Sequence, residues 1–129
     1  MPSSRAHSAH NEQLCDLLWA NGNFNDWVVT TAFYSAIHLV DHQIFPLTIS
    51  VEPVFANFKQ YLNRKSPLEP PHRVRRDLVE KYLPSCIEPF DWLLNACHGA
   101  RYNSYEVSKP IAEQARKKLD AIKKHSSKA

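Results

Sequence analysis

The sequence TTAFYSAIHLVDHQI, residues 30–44, decides the fold class of this chain, because it contains neither glycine nor proline. Its apolar side chains recur every three or four residues, at Phe33, Ile37, Val40 and Ile44. This spacing is typical of an α-helix that buries one face. No proline occurs between Leu14 and Phe45 or between Phe90 and Lys109, as uninterrupted helices require. The stretch therefore predicts a long helix in a mainly helical domain.

Helical periodicity continues on both sides of this stretch. We predict a first helix from about Ser8 to Ala20, with an apolar stripe formed by Leu14, Leu17 and Leu18. The segment NGNFN, residues 21–25, has the glycine and asparagines of a turn, and the helix that carries residues 30–44 begins there.

Prolines divide the remainder of the chain. The connection of residues 46–71 holds one short helix, and later helices begin after Pro71, near Pro89 and at Ser108. The sequence thus predicts an all-α fold, an antiparallel helical bundle of four to five helices. It is expected to be a single domain, residues 1–129, with frayed ends at about residues 1–7 and 124–129.

Composition excludes several functional classes. The chain has only two glycines, Gly22 and Gly99, so no glycine-rich loop can hold a phosphate as in nucleotide-binding α/β proteins. Its three cysteines show no CxxC spacing, which favours buried thiols in a reducing compartment. No apolar stretch is long enough for a leader or a membrane span, and we therefore expect a cytoplasmic protein. A net charge of +3 is compatible with an anionic partner.

Polar side chains lie on one face of the helix of residues 30–44. Tyr34, His38 and Asp41 recur at i, i+4 and i+7, and a carboxylate beside a histidine can fix its tautomer and raise its basicity. This arrangement suits general acid–base catalysis. The alternative is a structural polar seam between helices, in which the same groups only satisfy one another.

A metal site is a third reading of the histidines. His38 and His42 are one helical turn apart, a spacing that lets two imidazoles share a metal, and His72 or His98 would have to supply a third ligand. Such a pair arises easily by chance in a chain with seven histidines. We therefore predict no metal and no other cofactor.

Two further segments carry candidate ligand-binding groups. His72 and Arg75 are one turn apart near a helix N-terminus, where imidazole, guanidinium and amide donors can hold an anion such as a phosphate. Arg101 follows the fourth main helix, and Tyr102 and Tyr105 offer stacking surfaces for a base. The alternatives are a solvated basic helix face and a helix C-terminus capped by arginine.

Three segments in this order resemble the small bacterial and archaeal proteins of the HEPN superfamily. They are DWVVTTAFYSAIHLVDHQI (residues 26–44), HRVRRDLV (72–79) and FDWLLNACHGARY (90–102), and the resemblance covers roughly residues 10–122. It implies a helical bundle that pairs into a homodimer, with a cleft between or beside the subunits and a role with RNA. Many HEPN proteins are metal-independent ribonucleases of toxin–antitoxin, abortive-infection or CRISPR defence systems, whereas others bind nucleotides or have lost activity.

The chain departs from the HEPN nuclease signature, which sets a histidine four to six residues after an arginine near the start of the last core helix. Arg101 has no histidine at that distance, and the match at Arg5 and His10 lies in the wrong element. If RNA is cleaved, we expect His38 and His72 as acid and base, with Arg75 and Arg101 on the phosphate.

The leading hypothesis is a cytoplasmic, homodimeric, HEPN-like domain that binds RNA or a nucleotide. Its polar cleft would combine the candidate catalytic residues His38, His72 and Arg75 with the candidate binding residues Tyr34, Asp41, Arg101 and Tyr102. An antitoxin or another protein is an expected partner. The alternative is a non-catalytic protein-interaction module, whose polar seam is structural and whose outer apolar stripe binds a partner. Whether the chain is an enzyme stays open at this point.

Overall fold

A computed structural model of the chain describes residues 3–125. In chain order the helices are α1 (Ser4–Asn21), α2 (Asn25–Ile44), α3 (Phe58–Lys65), α4 (Pro71–Tyr82), a short 3-10 turn (Pro84–Cys86), α5 (Ile87–Tyr102) and α6 (Lys109–Lys124). Within the described residues, β structure is limited to one isolated bridge between Leu47 and Phe55. The predicted all-α bundle is confirmed, although it has six α-helices rather than four to five.

α1 is longer than its apolar pattern predicted. The side chain of Ser3 accepts a hydrogen bond from the backbone N–H of Ala6 at 3.1 Å, and this cap begins the helix at Ser4. Residues 4–7, expected to be frayed, are therefore helical. Gly22 ends the helix with φ 85°, a left-handed conformation that glycine adopts without strain. Most of the expected C-terminal frayed tail, residues 126–129, lies outside the described part of the chain.

α2 is the central helix and packs against α1, α5 and α6. Its core face buries the four side chains that the spacing of residues 30–44 predicted, Phe33, Ile37, Val40 and Ile44. The buried hydroxyls of Thr30 and Thr31 donate to carbonyl oxygens of the preceding turn, so the polar groups on this face are hydrogen-bonded.

The predicted apolar stripe of α1 is wrong in part. Leu14 and Leu17 are 43% and 64% exposed, and Ser8 and Cys15 are buried instead. The Ser8 and Ser35 hydroxyls lie 3.0 Å apart, and the Cys15 thiol donates to the carbonyl of Val28. Small side chains let α1 approach α2 closely, and this approach turns the two leucines toward solvent.

The later helices follow their predicted starts closely. Ser108 caps α6, and Ala112, Ala115, Leu119 and Ile122 form its buried strip, whereas Ile111 is partly exposed. α5 begins at Ile87, two residues before the predicted Pro89, because the 3-10 turn leads directly into it. No helix within residues 3–125 combines the length and the apolar character needed to cross a membrane.

Candidate functional site

One side of α2 is left partly open by its neighbours and carries aromatic and ionisable groups. We call this side the α2 ridge and define it by Trp27, Tyr34, His38 and Asp41. Their spacings of seven, four and three residues set them on one face. At 1.5 Å per residue the ridge is about 21 Å long. The ridge contacts α1 through His38, α4 through Asp41 and α5 through Tyr34.

The first end of the ridge holds an arginine among aromatic rings. Arg101 donates from Nη1 to the Tyr34 hydroxyl at 2.9 Å, and its guanidinium carbon lies 5.4 Å from the centre of the Trp27 ring. Tyr102 and Tyr105 are each 74% exposed. We call Trp27, Arg101, Tyr102 and Tyr105 the aromatic platform, since all four line one open cleft of about 340 Å³. The platform combines a fixed positive charge with exposed π surfaces.

The middle of the ridge contains two histidines in contact. The rings of His7 on α1 and His38 on α2 have centroids 4.4 Å apart. Partial desolvation lowers the pKa of His38 below its usual value, His7 and Arg75 lower it further, and Asp41 opposes the shift. His38 is therefore mostly neutral at pH 7.

The far end of the ridge is closed by an ion pair. Arg75 donates from Nε and Nη2 to the two carboxylate oxygens of Asp41, at 2.9 and 3.1 Å. The side chains are 11% and 12% exposed, and the ring of Phe58 covers the guanidinium at 3.7 Å. The carboxylate that could have oriented His38 is thus engaged by Arg75. Arg75 in turn is not free to hold an external anion in this arrangement.

His72 lies on the first turn of α4 and is exposed. Its ring meets the buried ring of Phe33 edge-on, with centroids 5.4 Å apart. Partial desolvation lowers the pKa of His72, and the charge of Arg75 lowers it further. Both candidate catalytic histidines therefore favour the neutral form at pH 7, and each would serve better as a base than as an acid.

The predicted site residues fall into two groups along the ridge. Tyr34, Arg101 and Tyr102 meet at the platform, and His38, Asp41 and Arg75 meet toward the other end, with His72 beside Phe33. Sequence reasoning missed Trp27, His7 and Phe58 as parts of this region. Of these three residues, only Trp27 could have been placed in this region from the sequence, because it lies seven residues before Tyr34 on the same helix face.

Metal and thiol chemistry find little support among the described residues. Within residues 3–125, no three side chains of histidine, cysteine, aspartate or glutamate converge as a metal site would require. His42 lines a small cleft of about 200 Å³ with Asp41 and Phe58.

Burial raises the pKa of all three thiols, Cys15, Cys86 and Cys97, so they stay protonated at neutral pH.

Comparisons of the chain with protein-family models, with curated proteins and with solved structures gave no match. The resemblance to HEPN proteins therefore depends on the order and spacing of the sequence motifs.

Proposed function

We propose that this chain is a HEPN-like domain that binds RNA or a nucleotide along the α2 ridge, with the aromatic platform as the principal contact. The proposal includes a homodimer, as the sequence resemblance implies, and a cytoplasmic location, which the buried, unpaired cysteines favour. Tyr34 belongs to this site because it orients Arg101. His38 lies further along the α2 ridge, and His72 lies beside Phe33 of the same helix.

The observation that carries the proposal is the setting of Arg101. Its guanidinium is held by the Tyr34 hydroxyl and lies near the Trp27 ring, beside two highly exposed tyrosines. Aromatic rings accept unpaired bases by stacking, and an oriented guanidinium pairs with a phosphate. The combination suits a ligand that offers flat rings and negative charges together, as RNA and nucleotides do.

Binding is better supported than cleavage. Metal-independent cleavage by two histidines needs one neutral imidazole as base and one protonated imidazole as acid. The lowered pKa values of His38 and His72 leave little of either in the protonated form at neutral pH. Arg75, the expected phosphate ligand, is already paired with Asp41. Asp41 and Arg75 are therefore assigned to support the site rather than to touch the ligand.

An equilibrium titration with fluorescent single-stranded RNA, run in chelator and alongside free nucleotides, tests the proposal. Arg101→Gln and Tyr102→Leu should each weaken binding by about tenfold or more, since one stacked base contributes roughly 1–3 kcal/mol. Arg64→Gln is the matched control, because Arg64 is also an exposed arginine but lies on α3, outside the platform. If Arg64→Gln and Arg101→Gln lose the same RNA affinity, the loss is explained by net charge alone. If wild type binds neither RNA nor nucleotides, the proposal is wrong.

The same samples test cleavage. RNA incubated with wild type, His38→Ala and His72→Ala is analysed on a gel at several pH values. Cutting in chelator that both substitutions abolish would establish the two histidines as catalytic. If folded wild type binds RNA but leaves it intact, the protein binds RNA without cleaving it.

A further inference from the structure

The cleft of the aromatic platform also contains a carboxylate. Asp26 lines the same space of about 340 Å³ as Trp27, Arg101, Tyr102 and Tyr105. It lies in the first turn of α2 and is only partly exposed. The cleft therefore offers a ligand a positive group, a negative group and several aromatic rings.

The carboxylate of Asp26 has no protein partner within residues 3–125. No lysine, arginine or histidine of this part of the chain forms an ion pair with it. Asp26 does bond the Thr30 hydroxyl, at 2.9 Å, but through its backbone carbonyl. Both side-chain oxygens are therefore left to accept hydrogen bonds from a ligand in the cleft.

Arg101 and Asp26 share the cleft without neutralising each other. Arg101 is held by the Tyr34 hydroxyl and lies near the Trp27 ring. Asp26 and Trp27 are neighbours on α2, so their side chains point about 100° apart around the helix. The two charges thus give the cleft a direction, because a phosphate is attracted to Arg101 and repelled by Asp26. A bound nucleotide is favoured with its phosphate at Arg101 and the edge of its base toward Asp26.

An aspartate beside a stacked base can distinguish one base from another. An ionised carboxylate accepts through two oxygens and donates nothing. Guanine presents its N1–H and an N2 amino hydrogen side by side, so both can be donated to the two oxygens as a bidentate pair. Adenine and cytosine present an amino group beside an acceptor nitrogen, and uracil presents one N–H between two carbonyl oxygens. Guanine therefore fits a free carboxylate best, and the uracil carbonyls are repelled by it.

We propose that Asp26 reads the base that stacks on the aromatic platform and selects guanine over uracil. This role rests on the proposed function and deepens it, because it names the preferred ligands as guanine nucleotides, free or within a single strand. Asp26 also places a negative charge in the first turn of α2, which favours the helix. That structural role changes stability but does not change which base is preferred, so the two roles can be separated.

Equilibrium titration with short labelled oligouridines that differ only in the central nucleotide tests the selection. The central nucleotide is uridine, adenosine, cytidine, guanosine or inosine, and guanosine and uridine monophosphates are titrated alongside. Wild type should bind the guanosine oligonucleotide about tenfold more tightly than the uridine one, as a bidentate contact predicts. Inosine lacks only the N2 amino group of guanosine, so it should bind less tightly although it stacks as a purine.

Asp26→Asn should remove most of the preference for guanosine, because the amide offers only one acceptor oxygen and adds a donor that opposes the N2 amino group. Glu106→Gln is the matched control. It removes the same charge from an exposed residue between α5 and α6 that does not line the platform cleft, so the ranking of the five oligonucleotides should stay unchanged. Circular dichroism checks that both variants are folded, and the wild-type ranking depends on neither variant.

The free monophosphates identify the source of the guanine. A preference for guanosine monophosphate over uridine monophosphate extends the selection to free nucleotides, whereas a preference confined to the oligonucleotides assigns it to RNA strands.

Equal binding of the guanosine and inosine oligonucleotides by wild type would overturn the selection by Asp26. An unchanged ranking in Asp26→Asn, or a ranking that Glu106→Gln loses equally, would also overturn it. In each of these cases the platform still binds RNA, so the proposed function stands. If wild type binds none of the oligonucleotides or monophosphates, the proposed function is wrong and the role of Asp26 is wrong with it.

Discussion

Replacing Arg75 by methionine would leave the Asp41 carboxylate nearly buried without its partner. The pair makes two hydrogen bonds, at 2.9 and 3.1 Å, and its side chains are 11% and 12% exposed. Removing one member of a buried pair costs about 3–5 kcal/mol. Asp41 also lines a small cleft through which water can reach it, so we expect the lower end, about 3 kcal/mol. Methionine keeps an apolar contact with Phe58, which isolates the loss of charge.

The assay is urea unfolding followed by far-UV circular dichroism, on wild type, Arg75→Met, Asp41→Leu and the double variant. Each single variant should lose about 3 kcal/mol of unfolding free energy, and the double variant should lie much closer to wild type than the sum, because no uncompensated charge remains. Single variants that each lose less than about 1 kcal/mol, or losses that simply add, would show that Asp41 and Arg75 do not depend on each other for their burial.

Three further predictions concern stability. The folded-state pKa of His38 is lowered, so the fold should be most stable above the unfolded value of about 6.5 and lose stability as pH falls from there through the folded pKa. Thermal unfolding between about pH 5 and pH 8 should show this decline, and His38→Gln should flatten it. Phe33→Ala should cost about 3–5 kcal/mol in urea unfolding, because Phe33 is 1% exposed and packs on Phe90, and a loss near zero would contradict the packing. Ser108→Ala should cost about 0.5–1 kcal/mol in urea unfolding, since its hydroxyl accepts from the backbone N–H of Ile111 at 3.4 Å at the start of α6, and no loss would contradict the cap.

The helices could be predicted from sequence because their signals are local. Prolines, turn residues and three-to-four-residue spacing predict α2, α4 and α6 closely, and the start of α6 predicted at Ser108 is the residue whose hydroxyl caps that helix. The error in α1 has a tertiary origin. Its leucines have the spacing of a core stripe, yet the helix packs through Ser8 and Cys15. Which of these two sides is buried depends on how closely α1 approaches α2, and the spacing within α1 does not show that distance.

The site could be predicted only in part. Tyr34, His38, Asp41, Arg75 and Arg101 were identified from spacing and residue type. Their pairings join positions far apart in sequence, which spacing within one helix cannot reveal. Arg75 bonds a carboxylate 34 residues away, and Arg101 bonds a hydroxyl 67 residues away. These two contacts distinguish the roles of the arginines. Arg75 pairs with Asp41 and supports the structure, whereas Arg101 lies at the centre of the aromatic platform.

Contact between RNA and the aromatic platform can be located by ultraviolet cross-linking of wild type to single-stranded RNA, followed by mass spectrometry of the cross-linked peptides. Cross-links should form at Trp27, Tyr102 or Tyr105, and they should become much weaker in Arg101→Gln, which is expected to bind RNA less tightly. Cross-links confined to α6 or to the connection at residues 46–70, or none from a protein that binds RNA, would contradict contact between RNA and the platform.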